Sequence, residues 1–169
     1  MLRISKKADY AVFLLGAIAR QGAFPGGSAA DTVVSAHEIA KQAGLNKSVV
    51  ANLLKDFARH GMLDSVRGLR GGYRLARAPA EISLGEILQV VEGPFTLVDC
   101  IPEPDTGAGS GLLPQATSQR HDCSLIAFCP SKQPMRVVHE RISRLFAAIH
   151  LDELCAMTPV CSTSGSAAT

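Results

Sequence analysis

The chain has 169 residues, a formal charge of +2, and 47% hydrophobic against 19% charged residues. This composition supports a packed core and excludes a globally disordered chain, and the length suits one compact domain with an appendage. The charge is unevenly placed: residues 1–80 hold 12 Lys/Arg against 5 Asp/Glu (+7), and residues 81–169 hold 5 against 10 (−5). A basic half fits a polyanion such as nucleic acid, while the acidic half points to a different task.

The start MLRISKKADYAVFLLGAIAR is basic and then apolar. Its apolar run is too short for a secretory signal, and a small-residue cleavage motif is missing. No stretch approaches the roughly 20 apolar residues of a membrane span. The expectation is a cytoplasmic chain with no membrane contact, whose five cysteines stay reduced unless they bind something. An odd cysteine count also argues against a closed disulfide framework.

In chain order, Ala8 to Arg20 predicts a first helix, with Ala11, Leu14, Leu15 and Ile18 on one apolar stripe. The Gly/Pro/Ser segment GAFPGGSAADT ends it. Ser35 and Glu38 have the spacing of a capping box, so a second helix starts there and turns Ile39, Ala40 and Ala43 inward until Gly44. Asn46 is placed to cap a third helix to about His60, burying Val50, Leu53, Leu54 and Phe57, and Gly61 stops it. Two short strands, Met62 to Val66 and Gly72 to Ala76, follow as a hairpin around RGLRG.

Ser83 and Glu86 form another capping box, which opens a helix through Ile87, Leu88 and Val91 to Gly93-Pro94. Residues 95–120 read as an irregular loop, with GAGSG as its most flexible part. Pro134 opens the last long helix, whose stripe is Val138, Ile142, Leu145, Phe146 and Ile149. So small a domain has little core left for that stripe, so a second copy of the chain is the expected partner. The organisation is thus a winged helix-turn-helix over 1–80, a connecting helix over 81–94 and a cysteine-containing loop over 95–133. A dimerisation helix and its following segment span 134–155, and a disordered tail spans 156–169. The fold class is mostly α with a small β-hairpin wing.

A helix entering the DNA major groove needs short polar groups in its first turn, and Asn46, Lys47, Ser48 and Val49 supply them, with Asn52 and Lys55 farther along. Lys47 and Lys55 suit phosphates, which position without reading sequence. In the hairpin, Arg67 and Arg70 flank Gly68-Leu69, and Gly71-Gly72 would let backbone pass close to phosphate or into the minor groove. Tyr73 suits the hairpin base, and Arg74 and Arg77 are either phosphate contacts or solvated. Ser5, Lys6 and Lys7 begin the first helix, where an anion is favoured. No nucleophile-and-base constellation is evident, the five histidines are scattered, and no phosphate-cradling glycine loop precedes a helix, so catalysis is not expected.

Four segments together resemble the Rrf-type transcriptional regulators, the family of the iron–sulfur regulator IscR and the nitric-oxide sensor NsrR. They are the N-terminal helix MLRISKKADYAVFLLGAIAR, the helix-turn-helix GLNKSVVANLLKDFARHGML, the wing SVRGLRGGYRLAR, and EISLGEILQVVEGP. The resemblance covers about residues 1–100 and 121–155. It implies a homodimeric winged-helix regulator that binds a pseudo-palindromic double-stranded DNA operator. Base contacts would fall on Asn46, Ser48, Val49 and Asn52, and the wing arginine on Arg67.

Five residues separate Cys123 from Cys129, and 22 residues separate Cys100 from Cys123. By spacing alone, three thiolates suit zinc or an iron–sulfur cluster, or stand as separate buried cysteines. The resemblance implies the cluster, [2Fe-2S] or [4Fe-4S]. Two departures stand out. The Cys100–Cys123 interval is long, which loop closure tolerates because its cost grows only logarithmically. Lys132 also stands where IscR-like members carry a histidine ligand, three residues after the third cysteine. The resemblance to NsrR-like members makes Asp9 the fourth ligand, supplied across the dimer, with His121 its rival. A thiol switch or zinc remains the alternative sensor, and Cys155 and Cys161 are unassigned thiols.

Overall fold

A computed structural model describes residues 4–68, 71–98 and 128–157. Helix α1 (Lys6–Arg20) begins where the Ser5 hydroxyl accepts from the backbone N–H groups of Lys7 and Ala8. Ala8, Ala11, Leu14, Leu15 and Ile18 are fully buried on its inner face, following the 3.6-residue period. Helices α2 (Ala36–Ala43), α4 (Leu84–Glu92) and α6 (Leu151–Met157) all pack against it, as does the second hairpin strand.

Local capping signals place the helix-turn-helix. Ser35 starts α2 by accepting from the His37 N–H at 3.3 Å. Neither half of the expected box forms, because the Ser35 hydroxyl accepts from the His37 N–H and not from that of Glu38, and the Glu38 carboxylate stays exposed. Gly44 ends α2 at φ +63°, a left-handed cap that a side chain would strain. Helix α3 (Lys47–Arg59) starts after a three-residue turn, capped by the Asn46 side chain accepting from Ser48 N–H at 2.8 Å. It buries Val50, Leu53, Leu54 and Phe57.

The wing is an antiparallel pair, β1 (Leu63–Val66) and β2 (Gly72–Leu75), with Asp64 opposite Arg74 and Ser65 opposite Tyr73. One further hydrogen bond, Ala76 N to Met62 O at 3.0 Å, carries the pairing to the strand ends expected from sequence. Tyr73 also pairs through its backbone with Val34, by bonds of 2.8 and 2.9 Å, and its ring packs on the core. Val34 lies between the Gly/Pro/Ser segment and α2, where the sequence reading assigned no element, and it ties this part of the chain to the wing.

The wing glycines have an internal reason. A Cβ on Gly72 would lie 2.5 Å from the Val34 carbonyl oxygen, and one on Gly71 would lie 2.4 Å from that of Val66. Their lack of side chains is therefore required by backbone-to-backbone packing within the hairpin and against Val34, whatever approaches from outside. The arginines beyond them are likewise engaged. Arg74 pairs with Asp64 at 3.3 Å and donates to Ala30 O, while Arg77 pairs with Glu86 at 2.9 Å. Neither is the free phosphate contact or merely solvated side chain expected from sequence.

Ser83 and Glu86 form the expected reciprocal box at the start of α4. Burial pushes the Glu86 carboxyl up, but the Ser83 backbone N–H and the Arg77 guanidinium outweigh it and hold it below the usual carboxylate range.

The long C-terminal helix is α5 (Lys132–Ala148), with Pro134 in its first turn. It packs on α4, where Phe146 lies beside Gly85, and the Phe95 ring stacks on the buried His139 at 5.2 Å and meets Phe146 edge-on at 5.4 Å. Val137, Val138 and Leu145 stay exposed.

The expected stripe stops short of Ile149. Ile149 turns extended and accepts from Leu84 N–H at 2.8 Å, Leu151 N–H donates to Ile82 O at 2.9 Å, and His150 bridges Ser83. These backbone bonds end α5 and place α6, which the sequence reading did not foresee, against α1, with Leu151 fully buried. The expected tail begins within α6, and its residues beyond 157 lie outside the described residues.

Gly72→Ala is expected to lower folding stability by about 1–3 kcal/mol, the usual cost of overpacking. Urea unfolding measures it, and an unchanged midpoint would show that Val34 and β2 do not meet backbone to backbone.

Candidate nucleic-acid interface and cysteine site

Burial divides α3 into two faces. Opposite its buried residues, Ser48, Asn52 and Lys55 follow one another at helical spacing on the solvent side, joined by Lys47 and by Val49, which is 40% exposed. A helix that offers an amide, a hydroxyl, an apolar group and two ammonium groups on one free face can read base edges and hold phosphates together. Asn46 has a different first duty, since its side-chain oxygen is committed to the helix cap and only its amide N–H groups remain to donate outward.

At the wing, Arg67 is exposed just past β1, and the chain turns at Gly68 with φ +127°. Arg70 lies outside the described residues. The first turn of α1 is less open than its sequence suggests. Ser5 caps two backbone N–H groups and also donates to the Glu92 carboxylate, and Lys7 donates to Val91 O at 3.2 Å. A carboxylate at this helix start occupies the place an anion would take. Lys6 remains exposed.

The cationic groups fall into two sets. Arg59, Arg74, Arg77, Arg136 and Arg144 pair with carboxylates. Lys41, Lys47, Lys55 and Arg67 make no ion pair among the described residues, and all four belong to the helix-turn-helix and wing. Lys6, Lys7, Lys132 and Arg141 likewise make no ion pair among the described residues, so the helix-turn-helix and wing hold part of the unpaired positive charge, and that part can meet a polyanion.

Of the expected metal ligands, Cys129 and Asp9 are described, while Cys100 and Cys123 lie outside the described residues. Cys129 is a free, half-buried thiol just ahead of α5, and its carbonyl accepts from Lys132 N–H at 3.3 Å. Asp9 is exposed on α1 and opens onto a cavity of about 110 Å³ shared with Val12, Phe13, Gly16, Arg20, Leu154 and Cys155. No three His, Cys, Asp or Glu side chains gather around a metal-sized space among the described residues. Both described donors are accessible, and three thiolates with one carboxylate fit an iron–sulfur group, whose iron prefers sulfur and accepts a weaker oxygen at one position.

Cys155 has a place of its own between α6 and α1, with its thiol 3.9 Å from Gly16 O. Burial pushes that thiol up, against the Arg20 guanidinium and together with the Asp152 carboxylate. It therefore stays protonated at neutral pH, which makes it a poor nucleophile. Left unassigned from sequence, Cys155 serves in the fold to pack α6 on α1. His139, passed over as one of five scattered histidines, is the buried polar group of α5, and its Nδ1 has no hydrogen-bond partner. Its position within an otherwise apolar helical stripe was the signal available in the sequence.

The sequence model of the Rrf2 family, described as an iron-dependent transcriptional regulator, matches residues 4–157. Protein aau3 of Rhizobium meliloti is 24% identical over 158 residues, covering 94% of this chain and 88% of its own. Among solved structures, CymR, the global cysteine regulator of B. subtilis, superposes with a TM-score of 0.62 at 21% identity, covering 94% of this chain and all of its own. The T. potens IscR structure gives a TM-score of 0.60 at 24% identity over 92% of this chain and 87% of its own. At these identities the two structures establish a shared winged-helix fold, mostly helical with a two-stranded hairpin. No described helix is long and apolar enough to cross a membrane. With the family model spanning all the described elements, the chain belongs to the Rrf2 family of DNA-binding transcriptional regulators.

Proposed function

We propose that this regulator is a cytoplasmic, homodimeric repressor whose DNA affinity is set by an iron–sulfur cluster responding to iron–sulfur status, redox state or nitric oxide. The observation that carries the reading is the match of an iron-dependent family model to residues 4–157 of a chain with cysteines at 100, 123 and 129. Cys100, Cys123 and Cys129 would hold the cluster, and Asp9 of the partner subunit would complete it. When bound, the cluster supplies an iron site that oxidants and small ligands can alter.

The chain's own part is mechanical. Asp9 stands on the solvent side of α1, and the opposite side carries Leu14, Leu15 and Ile18 into the core shared with α2 and β2. A pull on Asp9 therefore bears on the elements that hold α3 and the wing. A carboxylate is a weaker partner for iron than a thiolate, so this link is the one to be released first. In the operator complex Ser48, Val49 and Asn52 read bases, with Asn46 contributing its amide donors. Lys47, Lys55, Arg67 and Arg70 hold backbone, while Ser5, Lys6 and the Gly71-Gly72 backbone stand at the margin of the contact.

The alternative is a cluster-free regulator with a thiol switch or zinc. The likeness to CymR, named a cysteine regulator, favours it. The raised Cys155 thiol does not favour that residue as the switch.

Asn52→Ala is expected to cost about 1–3 kcal/mol on a duplex that the wild-type protein selects from a random pool, and much less on random DNA. Fluorescence anisotropy on both duplexes decides it, and equal losses would demote Asn52 to a backbone contact. Leu145→Asp should turn a dimer into a monomer by sedimentation velocity, since it sets a charge on the exposed face of α5. An intact dimer would place the interface elsewhere. The decisive experiment is the visible spectrum of anaerobically purified protein, with iron and sulfide assayed on the same sample. A charge-transfer band with matching iron and sulfide, lost in Cys129→Ala, is expected, and a colourless wild type after reconstitution would favour the thiol or zinc reading.

A further inference from the structure

Along α2 and against the first turn of α3 lies an open groove of about 280 Å³, lined by His37, Ala40, Lys41, Gly44, Leu45 and Lys47. No acidic residue lines it. His37 and Lys41 are four residues apart and so share one face of α2, and both are exposed. Lys47 reaches in from the first position of α3.

Two ammonium groups on one groove repel each other, and an anion between them would relieve that repulsion. The nearest acid in sequence, Glu38, is exposed, does not line the groove and forms no ion pair among the described residues. The groove also faces the N-terminal end of α3, where the helix dipole favours an anion. The adjoining end of α2 is already satisfied, because Gly44 N–H closes on Ala40 and Lys41 carbonyls.

We infer that His37 and Lys41, acting with Lys47, form a phosphodiester clamp that grips the DNA backbone beside the reading face of α3. The assignment rests on α3 being the helix that enters the major groove. In that geometry the preceding helix of the pair crosses the backbone at the groove edge, and the residues it offers there are these. Each ammonium neutralises one phosphate, and the His37 ring donates an N–H to a third oxygen. The clamp sets the depth and angle of α3 without reading sequence, which separates its role from that of Asn52 on the same helix pair.

The test uses the full chain and the duplex selected by the wild-type protein, titrated by anisotropy across a series of KCl concentrations. Lys41→Ala is expected to flatten the slope of log K against log[KCl] by about one per subunit, with sequence preference kept, and Lys41/Lys47 double replacement by about two. Lys41→Arg should restore the slope. His37→Ala should weaken binding several-fold at every salt concentration. A duplex with a neutral methylphosphonate at the clamped position should bind wild type more weakly and Lys41→Ala unchanged.

A merely helix-stabilising Lys41 would lower the melting temperature and leave the salt slope as it was, and that result would overturn the clamp. The two layers of the argument separate cleanly. If Asn52→Ala relaxes sequence preference while Lys41→Ala leaves the slope untouched, only the clamp falls. If Asn52→Ala changes no preference, α3 does not read the groove and the clamp falls with that reading.

Discussion

Burial of one side of α1 is the constraint on which the rest of the structure depends. Leu14, Leu15 and Ile18 have no exposed surface, and burying each is worth about 1.5–3 kcal/mol relative to leaving it in water. Ala8 and Ala11 are as completely buried, and their small size lets the neighbouring helices approach closely. Against this one surface pack α2, α4, α6 and β2. The helix-turn-helix and the C-terminal elements therefore share a single support rather than two independent cores.

That sharing gives the solvent side of α1 its interest. Asp9, Phe13 and Arg20 lie outward, with the Arg20 guanidinium 5.9 Å from the Phe13 ring centre, and Cys155 closes the cavity from α6. A Cβ on Gly16 would lie 3.3 Å from both Cys155 Sγ and the Arg20 guanidinium, so the absence of a side chain there lets α6 settle on α1. Under the proposed function the same helix carries a sensing group on one side and the support of the reading helix on the other. No long relay is needed between the two roles, because a rigid helix of 15 residues connects them.

Charge is distributed on a similar logic. Where an arginine joins two elements, as Arg74 does with Asp64 across the hairpin and Arg77 with Glu86 between the wing and α4, it is paired. Such exposed pairs contribute little stability individually, but they orient the hairpin. Where lysines border α3 they lack partners, which leaves an electrostatic field for a polyanion. The excess positive charge of residues 1–80 thus becomes a directed surface only after the arginines that serve the fold are set aside.

Much of the fold was legible in the chain because the signals are local. Ser35, Asn46 and Ser83 announce helix starts through hydrogen bonds to N–H groups within three residues, and Gly44 announces a stop through its own φ. The buried face of α3, and hence its free face, follows from helical period alone. What the sequence by itself determined was therefore the order of the elements as far as α5, the free face of α3 and the family they compose.

Tertiary structure decided the rest, because those features depend on groups far apart in the chain. Gly71 and Gly72 looked like an opening for DNA, but Gly72 is held by Val34, a residue 38 positions away in sequence, through close backbone approach. Arg74 and Arg77 looked free until Asp64 and Glu86 came beside them. Ser5 looked open to phosphate until Glu92 reached it. The end of α5 and the place of α6 were set by backbone bonds to Ile82 and Leu84, which no periodicity encodes. Period and capping act within a few residues, whereas ion pairing, backbone approach and strand bridging are written only when the core brings their partners together.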